Sequence, residues 1–266
     1  MLISRLTALA AVLTAASGFA QGLATPPLYF SPSILYVGSG PAQLHISVLQ
    51  GQNTGLTARW NGADRPTGAN TDPSFSGGYS VQLTAQDLAA PGMAEVTMVD
   101  AKSGAIVVSS FLFVGYNVTP NDAVFDHARN RFYLTTPAQT GDASFPPNSL
   151  VALDPTTLRI GPVLAMGNGP ANMALSDDGV SLYVSVDGDG VVRRVNLDSF
   201  SVVSEFRVRS ATSGTVPRSA IAVMPGNPLA VAVYTGTLAV YDNGQKRPSE
   251  FASSGGFDGL LFAQSP

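Results

Sequence analysis

The second half of the chain repeats itself, and that restricts its fold more than any other feature. "FDHARNRFYL" and "LSDDGVSLYV" align so that Tyr133 falls on Tyr183, 50 positions on. "NSLVALD", "VVRRVNLD" and "GTLAVYD" align with Asp154, Asp198 and Asp242 in register, each 44 after the last. "PNDAVFD", "PANMALS" and "PRSAIAV" align from Pro120, Pro170 and Pro217. A unit of about 44–50 residues with four short strand-like runs is the size of one propeller blade. Such a unit cannot bury its apolar faces alone and must stack on its neighbours.

Residues from about Pro27 to Val114 read differently. In "QLHISVL" the residues Leu44, Ile46 and Val48 face one way while His45 and Ser47 face the other, the alternation of a half-buried strand. "YSVQLTA" and "AEVTMVD" behave alike, "AIVVSSFLFVG" closes the series, and clusters such as "NGADRPTGANTDP" and "AAPG" separate the runs. About seven strands in about 90 residues predict an antiparallel sandwich of immunoglobulin type. Trp60, the only tryptophan, sits in "TARWNG" and is expected on strand C as a buried core indole.

The expected fold class is therefore all-β, with an immunoglobulin-like sandwich followed by a partial β-propeller of about three blades. Composition agrees. Charged residues are 12% of the chain, about half the usual fraction of roughly 25%, and Gly and Pro serve tight turns. The N-terminal "MLISRLTALAAVLTAASGFAQG" has an early Arg5, an apolar core from Leu6 to Ala16, and small residues Gly18 and Ala20 before a cut after Ala20. This is the order of a secretory signal. The expected organisation is a signal peptide over 1–20, the sandwich over 25–116 and the repeats over 120–266. The expected location is secreted, periplasmic or cell-surface, with no integral membrane segment after signal cleavage. No basic run follows a phosphate backbone, so nucleic acid is not an expected partner. Cysteine is absent, which removes disulfides and thiolate chemistry.

Two resemblances sharpen this reading. "SPSILYVGSGPAQLHISV", "ARWNGADRPT", "LTAQDLAAPGMAEVTMVD" and "SSFLFVG" resemble the IPT/TIG-like immunoglobulin domains of bacterial secreted proteins. That resemblance implies a spacer or binding module. "GPANMALSDDGVSLYVSVDGDGVVRRVNLDSFSVVSEFRV" resembles a YVTN-type β-propeller repeat, with Ser176-Asp177-Asp178-Gly179 as its acidic turn. The Trp-Asp dipeptide and the histidine of WD40 repeats are missing.

The "DGDG" of Asp187 to Gly190 invites a calcium reading. An EF-hand loop needs a further oxygen ligand where Val191 stands and a glutamate where Asp198 stands. Asp-Gly is a favoured hairpin turn, so a turn is expected. Asp154, Asp198 and Asp242 are expected as short acceptors that end a strand and bond the next turn. His45 and His127 are expected at the surface. The "NVT" at Asn117 is a formal sequon followed by Pro120 and carries little weight. No catalytic, cofactor-binding or metal-binding residues are assigned, and no cofactor is expected. The candidate groove-lining residues are Arg193 and Arg194. Arg194 aligns with Leu150 and Leu238, and a cation between blades suits an acidic ligand. A local salt bridge is the competing reading.

The expected function is a secreted binding or scaffold protein, a sandwich spacer presenting repeats to a protein or polysaccharide partner. The alternative is part of a propeller enzyme, lactonase-like or quinone-dependent, whose active site needs further blades. Three units fit between Pro120 and Phe251, and "GGFDGLLFA" looks like the opening strand of a fourth. An open arc is expected to expose Leu182 and Val231 on its terminal faces, and further blades or another copy are expected to cover them.

Overall fold

The computed structural model describes residues 28–48, 55–71, 78–208 and 219–252. The signal segment and "GGFDGLLFA" lie outside the described residues.

The first nine strands are β1 (Leu28–Ser31), β2 (Ile34–Tyr36), β3 (Ala42–Val48), β4 (Leu56–Trp60), β5 (Ala63–Arg65), β6 (Thr67–Ala69), β7 (Tyr79–Leu83), β8 (Gly92–Asp100) and β9 (Ile106–Gly115). They form two sheets, β1-β3-β7-β6 and β2-β9-β8-β4-β5. With β3 as strand B and β4 as strand C, these are the ABED and GFC orders of an immunoglobulin-like sandwich. Alternation builds the core. Leu44, Ile46, Val81 and Leu83 from one sheet meet Ala58, Trp60, Val96, Met98 and Leu112 from the other. Trp60 is 3% exposed, on strand C as expected. His45 departs from expectation. It is half-buried, and its Nδ1 lies 2.8 Å from Asn70 Oδ1, because the cross-sheet edge brings a polar partner to it.

Three four-stranded antiparallel sheets follow, each in simple sequence order as in a propeller blade. Blade 1 is β10 (Asp122–Asp126), β11 (Arg131–Thr135), β12 (Ser149–Leu153) and β13 (Ile160–Ala165). Blade 2 is β14 (Pro170–Leu175), β15 (Ser181–Val186), β16 (Val191–Asn196) and β17 (Ser201–Arg207). Blade 3 is β18 (Ala220–Met224), β19 (Asn227–Tyr234), β20 (Thr237–Asp242) and β21 (Gln245–Ala252). The first strands β10, β14 and β18 pack against one another along the inner side. The period-2 pattern fades in the middle strands. β12 and β15 are buried at every position, because a neighbour covers each face of their sheets. The outer strands β13 and β17 keep exposed positions.

Blades 1 and 2 share Tyr133, Leu150 and Ala152 packed on Leu182, Val184, Val191 and Val195. Blades 2 and 3 share Tyr183, Val192 and Phe206 packed on Ile221, Val223, Val231 and Val233. Leu182 and Val231 are therefore not on terminal faces. Both are 0% exposed, each inside an interblade interface. The remaining face of blade 1, built on Leu134, Val151 and Leu153, is covered by Phe145 from the β11–β12 loop and by Tyr116 and Val118 of the segment after β9.

Candidate functional site

At this covered face the sandwich and blade 1 leave a cleft of about 280 Å³. Met93 and Phe113 line it from the sandwich, Tyr116 and Pro120 from the segment between, and Phe132 and Leu158 from blade 1. Its floor is the aromatic pair Tyr116 and Phe145, ring centres 4.9 Å apart and near edge-to-face. Burial, and then the Asp142 carboxylate, push the Tyr116 phenol above its ordinary pKa. It stays a neutral hydroxyl across physiological pH. The apolar surface continues outside the cleft. Ile34, Phe113 and Met93 lie side by side across β2, β9 and β8, and Ile34, Met93 and Phe111 are exposed. An apolar cleft with an apolar rim suits an aliphatic or aromatic group and offers little to a sugar.

Leu158 reaches this cleft from an unusual backbone, with φ of 56°. A bulky residue in the left-handed region is strained. The same geometry recurs in blade 2, where Phe200 has φ of 47°. There the ring stacks on Tyr133 of the preceding blade at 6.1 Å. Both residues end a turn set by an acceptor four residues earlier. Asp154 Oδ1 accepts from the N–H groups of Thr156 and Thr157, each at 2.8 Å. Asn196 Oδ1 accepts from Asp198 and Ser199 at 3.0 and 2.9 Å. Leu158 thus holds the place from which Phe200 grips a preceding blade, and the sandwich stands where that blade would be.

This register corrects the sequence alignment. Tyr133 pairs with Ala152 and Tyr183 with Arg194, so Asn196, not Asp198, is the counterpart of Asp154. The shared "LD" pulled the alignment two residues out, and an Asn serves the turn as well as an Asp. Asp198 instead pairs with Arg129, which also bonds Asp126 and donates to Gly179 O at 2.6 Å. Asp242 bonds no following turn. It takes two bonds from Arg247, at 2.7 and 2.8 Å, because Asn243 and Gly244 close a tight hairpin with φ of 45° and 85°.

Arg193 and Arg194 point to opposite faces of β16. Arg194 occupies the place of Ala152, not that of Leu150. It lies beside Tyr183, whose hydroxyl donates to Pro228 O at 2.8 Å across the blade 2–3 interface. Its Nε is buried without a hydrogen-bond partner. Arg193 is 2.8 Å from Glu205 and 3.7 Å from Asp189, a local ion-pair cluster. The two arginines do not converge on one point.

The "DGDG" segment is a hairpin turn. Val186 pairs with Val191, and Gly190 has φ of 70°. Asp187 accepts from Ser219 N, and Asp189 Oδ2 accepts from Asn168 N at 3.2 Å. Among the described residues no cluster of three His, Cys, Asp or Glu side chains could hold a metal. His127 is exposed at a turn, its ring edge-on to Phe125 at 4.7 Å. Sequence reasoning missed the cleft because its walls come from the turn residue Leu158, the loop residue Phe145 and strands of another sheet. The signal that was present is the pair of matching turns, "DPTTLR" and "NLDSFS".

No protein-family profile matches the chain, and no curated protein matches it in sequence. Several solved structures resemble it in shape. The WD40 repeats of RRP9 are 14% identical with a TM-score of 0.41, over 52% of this chain and 40% of that one. Apo AztD from Citrobacter koseri is 15% identical with a TM-score of 0.42, over 80% of this chain and 57% of that one. Dihydro-heme d1 dehydrogenase NirN in complex with DHE is 19% identical with a TM-score of 0.38, over 60% of this chain and 33% of that one. The chain spans between a third and just over half the length of these three structures. The blades are defined by this chain's own strand order and interblade bonds, and they make it an all-β protein with β-propeller-like sheets.

Proposed function

We propose that the chain is a secreted binding protein in which the cleft between sandwich and first blade grips an apolar side chain of a protein partner. The observation that carries this reading is the apolar cleft, continuous with exposed Ile34, Met93 and Phe111. In this reading residues 25–116 are an IPT/TIG-like spacer and 120–266 are YVTN-type repeats, exported behind a signal peptide over 1–20. The carboxylates at the inner-strand ends are engaged in structure. Asp122 accepts from Met173 N at 2.8 Å and Asp187 accepts from Ser219 N at 3.2 Å. That favours binding over a hydrolytic or quinone-dependent activity.

Panning random displayed peptides against the full chain tests this. The expected result is enrichment of peptides with an aromatic or branched aliphatic anchor, and loss of their binding in Met93→Glu and Leu158→Glu variants. Peptides indifferent to both variants, or binding to a polysaccharide panel in place of peptides, would overturn it. So would turnover of lactones by the full chain.

A further inference from the structure

The interface between blades 1 and 2 holds a ring at the place where the cleft is empty. Tyr133 of blade 1 is 2% exposed and shares one core with Leu182, Val195 and Phe200 of blade 2. Leu182 pairs with Val195, one row along from Tyr183 and Arg194. Phe200 closes the following turn with φ of 47° and stacks on the Tyr133 ring, centres 6.1 Å and planes 28° apart.

Blade 1 repeats these three positions. Phe132 pairs with Leu153, one row along from Tyr133 and Ala152, so Phe132 corresponds to Leu182 and Leu153 to Val195. Leu158 corresponds to Phe200, at the same place in its turn and with φ of 56°. In blade 2 the three residues pack with a tyrosine ring. In blade 1 all three line the cleft.

The sandwich supplies no counterpart of Tyr133. Its side of the cleft is Gly92, Met93, Phe113 and Gly115. The Phe113 ring lies along its own strand over Gly115, where an added Cβ would stand 2.6 Å from the ring. Among the described residues the ring in contact with Phe132 is Phe125 of its own blade. The space left, about 280 Å³, exceeds the roughly 150 Å³ of an apolar cavity that takes up benzene. Where the repeat carries Phe, a blade meets its neighbour ring to ring. Where it carries Leu, a ring's place stays open.

We infer that the anchor taken by the cleft is an aromatic side chain, seated on Phe132, Leu153 and Leu158 as Tyr133 is seated on Leu182, Val195 and Phe200. This rests on the reading of the cleft as the grip on a protein partner and names the side chain gripped. The choice follows from the established interblade interface, and the rings of Phe113, Tyr116 and Phe132 around the cleft favour an aromatic over an aliphatic group of similar size.

The test titrates the full chain with acetyl-Gly-Gly-X-Gly-Gly-amide, X being Phe, Tyr, Leu or Val, and follows the Met93 methyl resonance. The Phe and Tyr peptides are expected to bind about fivefold or more tighter than the Leu and Val peptides. They should also move the Met93 methyl upfield by ring current. Leu158→Phe fills the cleft from within. It is expected to raise the Tm by about 2–4 °C and to weaken the aromatic peptides by about tenfold or more. A Leu peptide that binds as tightly as the Phe peptide would overturn the inference, and so would a Leu158→Phe chain that loses Tm or keeps its affinity. If that Leu peptide is lost in Met93→Glu, the partner-binding reading stands without an aromatic anchor. Binding of none of the four peptides, together with failure of the displayed-peptide selection, would remove both.

Discussion

The two end faces of the blade array are built from the same kind of sheet and finished differently. On blade 1 the face of Leu134, Val151 and Leu153 is sealed by Phe145 and by Tyr116 and Val118. On blade 3 the row of Ala222, Ala232 and Val240 has small side chains and no described cluster over it. The next row of that blade 3 face carries Tyr234 and Leu238, so the two ends differ in what lies over them and not in side-chain size alone. A repeat array needs its ends finished. Here the sandwich finishes one end, and the cleft is the part of that junction left unfilled.

The largest expected difference is between the aromatic residues at the two ends. Phe145 is 1% exposed and Phe251 is 60% exposed. Phe145→Ala should cost about 3–5 kcal/mol in a denaturant melt, whereas Phe251→Ala should stay within about 0.5 kcal/mol. Equal costs would erase the contrast between a sealed and an unsealed end.

Acid separates the sandwich from the blades. The Arg65 guanidinium donates to Asp87 and, despite burial, lowers its pKa to about 2. The Asp87 side chain is 4% exposed. A depressed carboxylate pKa stabilises the fold above the unfolded value near 4, and that stability is lost as pH falls toward the folded value. Stability melts between pH 5 and 2 should therefore lose about 2 kcal/mol through this residue. Asp87→Asn should remove that part of the slope. If the slope persists in the variant, the pair does not anchor the sandwich.

A smaller effect compares the matching turns. Leu158→Gly relieves a strained left-handed backbone beside an open cleft and should stabilise by about 0.5–1 kcal/mol. Phe200→Gly relieves the same strain but removes a ring stacked on Tyr133, so it should destabilise by about 2 kcal/mol. The same sign in both would show that Leu158 is packed as tightly as Phe200. The smallest effect belongs to Arg193. Its partner Glu205 has a side chain 48% exposed, so Glu205→Ala should change stability by less than about 1 kcal/mol, and less still in high salt.

Much of the fold was legible because its signals are local. The alternation of "QLHISVL", the buried Trp60 of "TARWNG" and the hairpin of "DGDG" each need only neighbouring residues to be read. The errors came where two segments with the same local chemistry compete for one register. Asp198 and Asn196 both suit a turn, and the eight residues by which Tyr133 to Asp154 exceeds Tyr183 to Asn196 lie in the loop that delivers Phe145. Leu182 and Val231 read as terminal because the sequence does not say which face of a blade meets which neighbour. The candidate site was not legible, since Met93, Phe113 and Leu158 come from separate sheets.

By itself the sequence determined the two all-β halves, the four-stranded repeat and the placement of turns, because strand period and glycine or asparagine backbone freedom act over a few residues. Only the tertiary structure decided which faces are covered. Tyr116 and Val118 become a cap, Leu158 becomes a cleft wall and Ser219 becomes an unpaired hydroxyl only once the sheets stack. Burial is a property of what lies on the other side of a sheet, and in a stacked array the other side is supplied by residues tens of positions away.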